Sequence, residues 1–244
     1  MLSQESNIAF ADESSFELFE EKLYASISKS IDEKEWVRVK ETVLNNEAFK
    51  IFFRLYTTES ISNYDLYGGC FFQEAAKSLS DASKINYFLN LSHTSYTNFQ
   101  KMAIENNDIN YFVQWQKGIV EDKLGYNWQQ VERTLVDSSQ YYPARGEAIQ
   151  HIIQHYRTTM QEGIGYIFSS MARDMFYGKL PAGSRWFTNH SFYNWRVLYH
   201  HAAICRQIKN QKEEATTLKQ IKVCLESHPD FFSEDEKKRF INIL

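Results

Sequence analysis

The chain is poor in the residues that break helices and turn sheets: its 244 residues include nine glycines and three prolines. An all-β sandwich or barrel of this length needs more turn residues than that, so helices are the economical reading. Cysteine is scarce as well. Cys70, Cys205 and Cys224 are odd in number and show no Cys-x-x-Cys spacing, which argues against a disulfide framework or a zinc site and fits a reducing compartment. Charge of one sign is not in excess either. Lys plus Arg number 27 against 31 Asp plus Glu, a net −4, so the chain has no electrostatic footprint for wrapping nucleic acid and none is expected as a partner. No apolar run approaches the ~18 residues of a membrane span. Met1 to Phe10 carry neither a basic cluster nor an apolar stretch of signal-peptide length, and the expected location is cytoplasmic.

What is present is apolar and aromatic: 43% hydrophobic residues, with aromatics at 16%, are enough to bury a sizeable core. The apolar positions recur at helical spacing. Phe16, Phe19, Leu23, Tyr24 and Ile27 predict a helix over 13–29 with Asp12 as its cap, and Trp36, Val39, Val43, then Phe49, Phe52, Phe53, Tyr56 repeat the pattern around Asn45-Asn46. Tyr64, Tyr67, Phe71 and Ala75 continue it through Gly68-Gly69, two glycines that cost roughly 1 kcal/mol each inside a helix and mark a bend or close packing. Asp81 caps a stretch that is either one helix or two turning near His93.

From Asp108 the punctuation becomes regular. Asp108 reads as a cap, Tyr111, Phe112, Trp115, Ile119 and Leu124 form one face, Gly125 stops the helix, and Asn127 caps a second helix that runs to Tyr141-Tyr142. Pro143 then sits where a first helical residue belongs. Ile109 to Pro143 is a step of 34 residues, the period of a tetratricopeptide unit. A second pair turns near Gly163 to Gly165 and ends at Gly178. After a linker over 179–190 a third pair begins at Tyr193. Ser233 and Glu236 have the spacing of a capping box for a terminal helix. The expected fold class is therefore all-α: tetratricopeptide-like stacked helical hairpins over 109–244 with a C-terminal cap, and an additional helical N-terminal region over 1–108 packed on them.

The segments Tyr142-Pro143-Ala144-Arg145-Gly146-Glu147-Ala148, Tyr156-Arg157, Tyr166-x-Phe168, Leu180-Pro181, Trp186-Phe187 and Tyr193-x-Trp195-Arg196, in this order, resemble the tetratricopeptide-like region attached to certain bacterial and giant-virus glycosyltransferases. Leu124-Gly125-Tyr126-x-Trp128 fits the unit before them. The resemblance covers roughly 109–244 and implies a link to glycan assembly with a glycosyltransferase as a partner. It departs at Met160, where the family has a turn glycine, so the second turn is expected to shift toward Gly163. It departs again at Val197-Leu198-Tyr199-His200-His201, where the family has an acidic pair. The transferase's own α/β domain, with its Asp-x-Asp, is missing.

Glu147, His151 and His155 align at i, i+4 and i+8, with His200-His201 one repeat on, which could hold a divalent metal. The plainer reading, preferred here, is polar residues on a repeat helix, so no metal and no cofactor are expected. Residues 143–206 carry seven basic side chains against three acidic ones, whereas residues 1–60 carry seven against twelve. Guanidinium groups suit carboxylate or phosphate, so the C-terminal repeats are expected to bind something anionic, although Arg145 and Arg196 also suit structural roles at helix ends. No phosphate loop, dinucleotide loop or local nucleophile signature is present, and no catalytic residues are assigned. The sequence thus points to a non-catalytic binding or scaffold protein that presents a concave surface to a protein or peptide. The expected contact residues are Arg145, His151, Arg157, Tyr193 and Arg196. The alternative is an accessory subunit of a glycosyltransferase or a cryptic enzyme on a helical scaffold.

Because every long segment repeats at period 3.6, far-UV circular dichroism of the purified chain should be dominated by helix. A strand fraction above roughly a fifth would contradict the architecture.

Overall fold

The computed structural model describes residues 13–58, 63–102, 105–184 and 186–241, so the proposed cap Asp12 and the basic residue Arg185 lie outside the described residues. Among the described residues the chain is all helix, without strands: α1 Glu13–Ile27, α2 Glu33–Leu44, α3 Glu47–Thr58, α4 Tyr64–Lys77, α5 Ala82–Gln100, α6 Asn107–Lys123, α7 Trp128–Ser138, α8 Glu147–Thr158, α9 Glu162–Phe176, α10 Val197–Gln207, α11 Gln211–Ser227 and α12 Glu234–Ile241. It divides into two compact units, residues 1–131 with 185–187, and residues 132–184 with 188–244. The sequence boundary at residue 108 follows punctuation. The compact units instead part within α7, so that α6 lies with the N-terminal helices.

In the first unit α4 packs along α5, and α5 along α6. The glycine pair serves close packing and not a bend: α4 runs through it, and a Cβ on Gly69 would fall 2.5 Å from the Tyr96 ring of α5. Ser92 of α5 also donates its hydroxyl to the Gly69 carbonyl at 2.7 Å. Helix α5 is single, without a turn at His93, and Asp81 caps it through the backbone N–H groups of Ser83 and Lys84. Aromatic rings fill the core, with Phe49, Phe52, Phe71 and Phe112 all buried. Trp186, from the segment expected to be a plain linker, completes it, with its ring 5.8 Å from Phe52 and 5.7 Å from Phe112. This explains one misplaced cap. Asn106, not Asp108, caps α6 by accepting from the Ile109 N–H at 3.1 Å, while the Asp108 carboxylate accepts from the Trp186 N–H.

In the second unit α8 pairs with α9, and α10 packs against α8, α9 and α11. Gly178 ends α9 in a left-handed conformation, φ 70°, and its N–H donates to the Tyr193 carbonyl. The turn after α8 is not displaced to the glycines. Met160 itself takes φ 58°, because the N–H of Gln161 closes back on the Tyr156 carbonyl, and Gly163 and Gly165 lie inside α9. Helix α7 ends at Ser138, short of Tyr141-Tyr142, and Pro143 is not a first helical residue. The chain turns through Tyr142 to Arg145 before α8 starts at Glu147. Phe192–Arg196 form a π-helical turn leading into α10. The Ser233–Glu236 capping box is present in both directions, at 2.9 Å and 3.3 Å.

Two glycines should respond oppositely to one methyl group. Gly69→Ala should lower stability by about 1–2 kcal/mol, because overpacking against Tyr96 outweighs the gain in helix propensity. Gly163→Ala meets nothing within 4 Å and should raise stability by up to about 1 kcal/mol. Urea unfolding of the two variants checks both signs.

Candidate functional site

The start of α8 is held by a buried carboxylate. Glu147 Oε2 accepts from Arg145 Nε at 3.2 Å and from the Tyr193 hydroxyl at 3.1 Å, while Oε1 accepts from the Asn189 N–H at 2.9 Å. The Tyr193 hydroxyl in turn accepts from the Gly146 N–H at 2.8 Å. Burial first, and then the charge of Glu147, push the Tyr193 hydroxyl well above its ordinary value, so it stays a proton donor. Arg145 and Tyr193 are both fully buried. They tie the π-helical turn to the α8 terminus and reach no surface, so two of the five expected contact residues belong to the interior.

The other three lie elsewhere. His151 sits half-buried on α8, Arg196 lines a cleft of about 270 Å³ together with Gln150 and Gln154 of α8, Trp195 of the π-turn, Tyr199 and His200 of α10, and Glu236 and Phe240 of α12, and Arg157 contacts the Tyr199 and His200 of its wall. Arg196 Nη2 donates to Glu236 at 2.8 Å, and its guanidinium lies 5.4 Å from the Trp195 ring centre. Arg157 lies 5.7 Å from the Tyr199 ring centre and donates to His200 Nδ1 at 3.3 Å. His200 is pushed down to about 3, by burial first and then by Arg157 and Arg196. It is a neutral wall of the cleft and not a cation. The lining joins aromatic faces, two amides and the Arg196 guanidinium with its Glu236 carboxylate, and a second guanidinium, Arg157, lies against the wall, which suits a polar or anionic side chain of a partner that competes with Glu236 for Arg196.

The neighbouring residue faces another way. His201 Nδ1 is 3.0 Å from Ser169 Oγ, and its Nε2 is 3.0 Å from Glu213 Oε1, 3.5 Å from Cys205 Sγ and 2.8 Å from Arg173 Nη1. A hydroxyl, an imidazole and a carboxylate in a row are the parts of a nucleophile triad. Burial disqualifies it, because Ser169, His201 and Cys205 are all fully buried and no substrate can reach the hydroxyl or the thiol. Burial also pushes the Cys205 thiol up to about 11 and His201 down, which is opposite to an activated thiolate–imidazolium pair. Among the described residues it is His201, Cys205 and Glu213, and not the aligned Glu147, His151 and His155, whose ligand atoms all fall within 4.8 Å of one another.

Gln150, Gln154, Tyr199 and Phe240 were missed from the sequence. The signal available for Tyr199 was the departure from the family pattern at Val197–His201. No local signal marks the glutamines, whose role depends on α10 packing against α8 and on α12 packing against the π-turn and α10.

The buried His200 has a pH consequence. Its folded value lies below the ordinary 6.5, so its contribution to stability is present above 6.5 and is lost as pH falls toward about 3. Arg157, Arg196, Glu236 and Gln150 face it from the π-turn and helices around it. Urea titrations should show His200→Gln losing less stability than the unsubstituted chain across that window, and an equal slope would contradict the burial of a neutral imidazole.

No described helix is long and apolar enough to cross a membrane. Compared with family models, curated proteins and solved structures, the chain matches none.

Proposed function

We propose that the chain is a non-catalytic, tetratricopeptide-like binding protein that receives an anionic segment of a protein or peptide partner in the cleft between α8, α10 and α12. The observation that carries this reading is an aromatic-walled cleft that Arg196 lines and whose Tyr199 and His200 wall Arg157 contacts, in the stretch where the sequence has its positive excess. The hairpin stacking of α8 with α9 and of α10 with α11 supports the repeat architecture, since the first helix of each pair then contributes to one binding face. The likeness to the glycosyltransferase-attached region supports a partner in glycan assembly. The burial of Ser169 and Cys205 weighs against the cryptic-enzyme alternative.

Arg157 and Arg145 separate binding from folding. Binding of a pool of acidic peptides to the full chain, followed at two salt concentrations, should weaken about tenfold at low salt for Arg157→Glu and less at high salt, with the melting temperature nearly intact. Arg145→Glu places a carboxylate against the buried Glu147 and should cost about 3–5 kcal/mol. Full binding by Arg157→Glu at low salt, or its unfolding, would place the surface elsewhere.

A further inference from the structure

Helices α10 and α11 bring three ligand atoms, and α9 one guanidinium donor, toward one point. His201 Nε2 and Glu213 Oε1 are 3.0 Å apart, too close for two acceptors without a shared cation, and Arg173 Nη1 supplies it at 2.8 Å and 2.7 Å. A guanidinium only donates, so His201 Nε2 accepts and the imidazole proton sits on Nδ1, facing Ser169 Oγ at 3.0 Å. Glu213 is oriented in the same way: its Oε2 accepts from the Tyr166 hydroxyl at 2.6 Å and from Asn210 Nδ2 at 2.9 Å, leaving Oε1 for the shared point. Cys205 Sγ, one turn along α10 from His201, lies 3.5 Å from His201 Nε2. His201 and Glu213 thus each carry an outer partner that aims the remaining atom inward, as second-shell groups do around a metal.

We propose that His201, Cys205 and Glu213 bind a single zinc-class divalent cation, and that Arg173 is the cation they hold until the metal displaces it. Ligand bonds of 2.0–2.3 Å around a tetrahedral ion put neighbouring donor atoms about 3.3–3.7 Å apart; His201 Nε2 and Cys205 Sγ are 3.5 Å apart, His201 Nε2 and Glu213 Oε1 3.0 Å, and all three atoms lie within 4.8 Å of one another, so small side-chain shifts close the site. Thiolate, imidazole and carboxylate together suit a borderline-soft ion and exclude calcium and magnesium. The charges balance. The Cys205 thiol gives up its proton as the displaced Arg173 opens the site toward solvent, and one thiolate plus one carboxylate neutralise one divalent ion in a site where His201 and Cys205 are otherwise fully buried.

Arg173 has somewhere to go. Its Nε already donates to the exposed Asp174 at 2.8 Å, and it borders an open cavity of about 380 Å³ with Asn210, Glu213 and Thr216 on its wall. The same cavity borders Glu213, so the fourth coordination position would open toward it once Arg173 has moved. This site is distinct from the α8–α10–α12 cleft and does not depend on the function proposed for it. It also departs from the expectation drawn from scattered cysteines, because the ligands come from positions 201, 205 and 213 without any Cys-x-x-Cys spacing.

The test is cobalt titration of the purified, chelator-treated full chain, with zinc as competitor. One equivalent of cobalt should give a thiolate-to-cobalt charge-transfer absorption that zinc removes. The band should vanish in Cys205→Ser, and Arg173→Gln, freed of the competing guanidinium, should bind about tenfold tighter. Absence of the band from a folded Arg173→Gln chain overturns the proposal, even where Cys205→Ser fails to fold. Undiminished binding by a folded Cys205→Ser chain, or weaker binding by Arg173→Gln, overturns it as well.

Discussion

The second unit depends on one buried carboxylate. Glu147 sits at the first position of α8, where the helix dipole favours negative charge, and it gathers Arg145, Tyr193 and the Asn189 N–H around it. Those partners come from the turn before α8, from the π-helical turn before α10 and from the segment leading into it. One buried side chain therefore sets how the two hairpins meet. Neutralising it or removing Arg145 leaves a charge unpaired inside, which costs more than the pair gains over an apolar filling. The α8–α10–α12 cleft inherits its geometry from this junction, since Gln150 and Gln154 follow on α8, and Trp195 and Arg196 follow Tyr193 in the π-turn.

Helix α10 divides its chemistry between two neighbouring histidines. His200 turns to α8 and becomes a neutral wall of the cleft, while His201 turns to α9 and α11 and joins Ser169, Arg173 and Glu213. Successive residues on a helix point about 100° apart, so a pair in the middle of a packed helix is bound to serve two interfaces. Packing on both sides makes both imidazoles poor proton acceptors, and burial is the leading cause in each. What distinguishes them is the partner: guanidinium groups against His200, and a guanidinium together with a carboxylate against His201.

The first unit is organised by ring packing instead of by charge. Gly69 lets the Tyr96 ring approach the α4 backbone, and the Tyr96 hydroxyl then donates to Gln73 at 2.8 Å, so a close approach and a buried polar contact depend on the same missing methyl group. Trp186 shows the opposite economy. A residue far along the chain fills the space beside Phe52 and Phe112, and its N–H occupies Asp108, leaving the cap of α6 to Asn106.

The helical character of each long segment, the capping box at Ser233 and Glu236, the stop at Gly125 and the cap at Asp81 were determined by the sequence alone, because period 3.6 and capping are local: each depends on side chains within a few residues of the backbone groups they satisfy. Arg157 and Arg196 were legible as cations in a basic stretch for the same reason. Tertiary structure decided which of the candidate residues reach a surface. Arg145 and Tyr193 carry the same polar signature as Arg157, yet a carboxylate brought to them by packing draws them inside. It also decided that Met160 turns where a glycine was expected and that His201, Cys205 and Glu213 converge while Glu147, His151 and His155 do not. Those outcomes depend on which helix faces which, a choice made by burying apolar area across the whole unit, and no short window of sequence contains it.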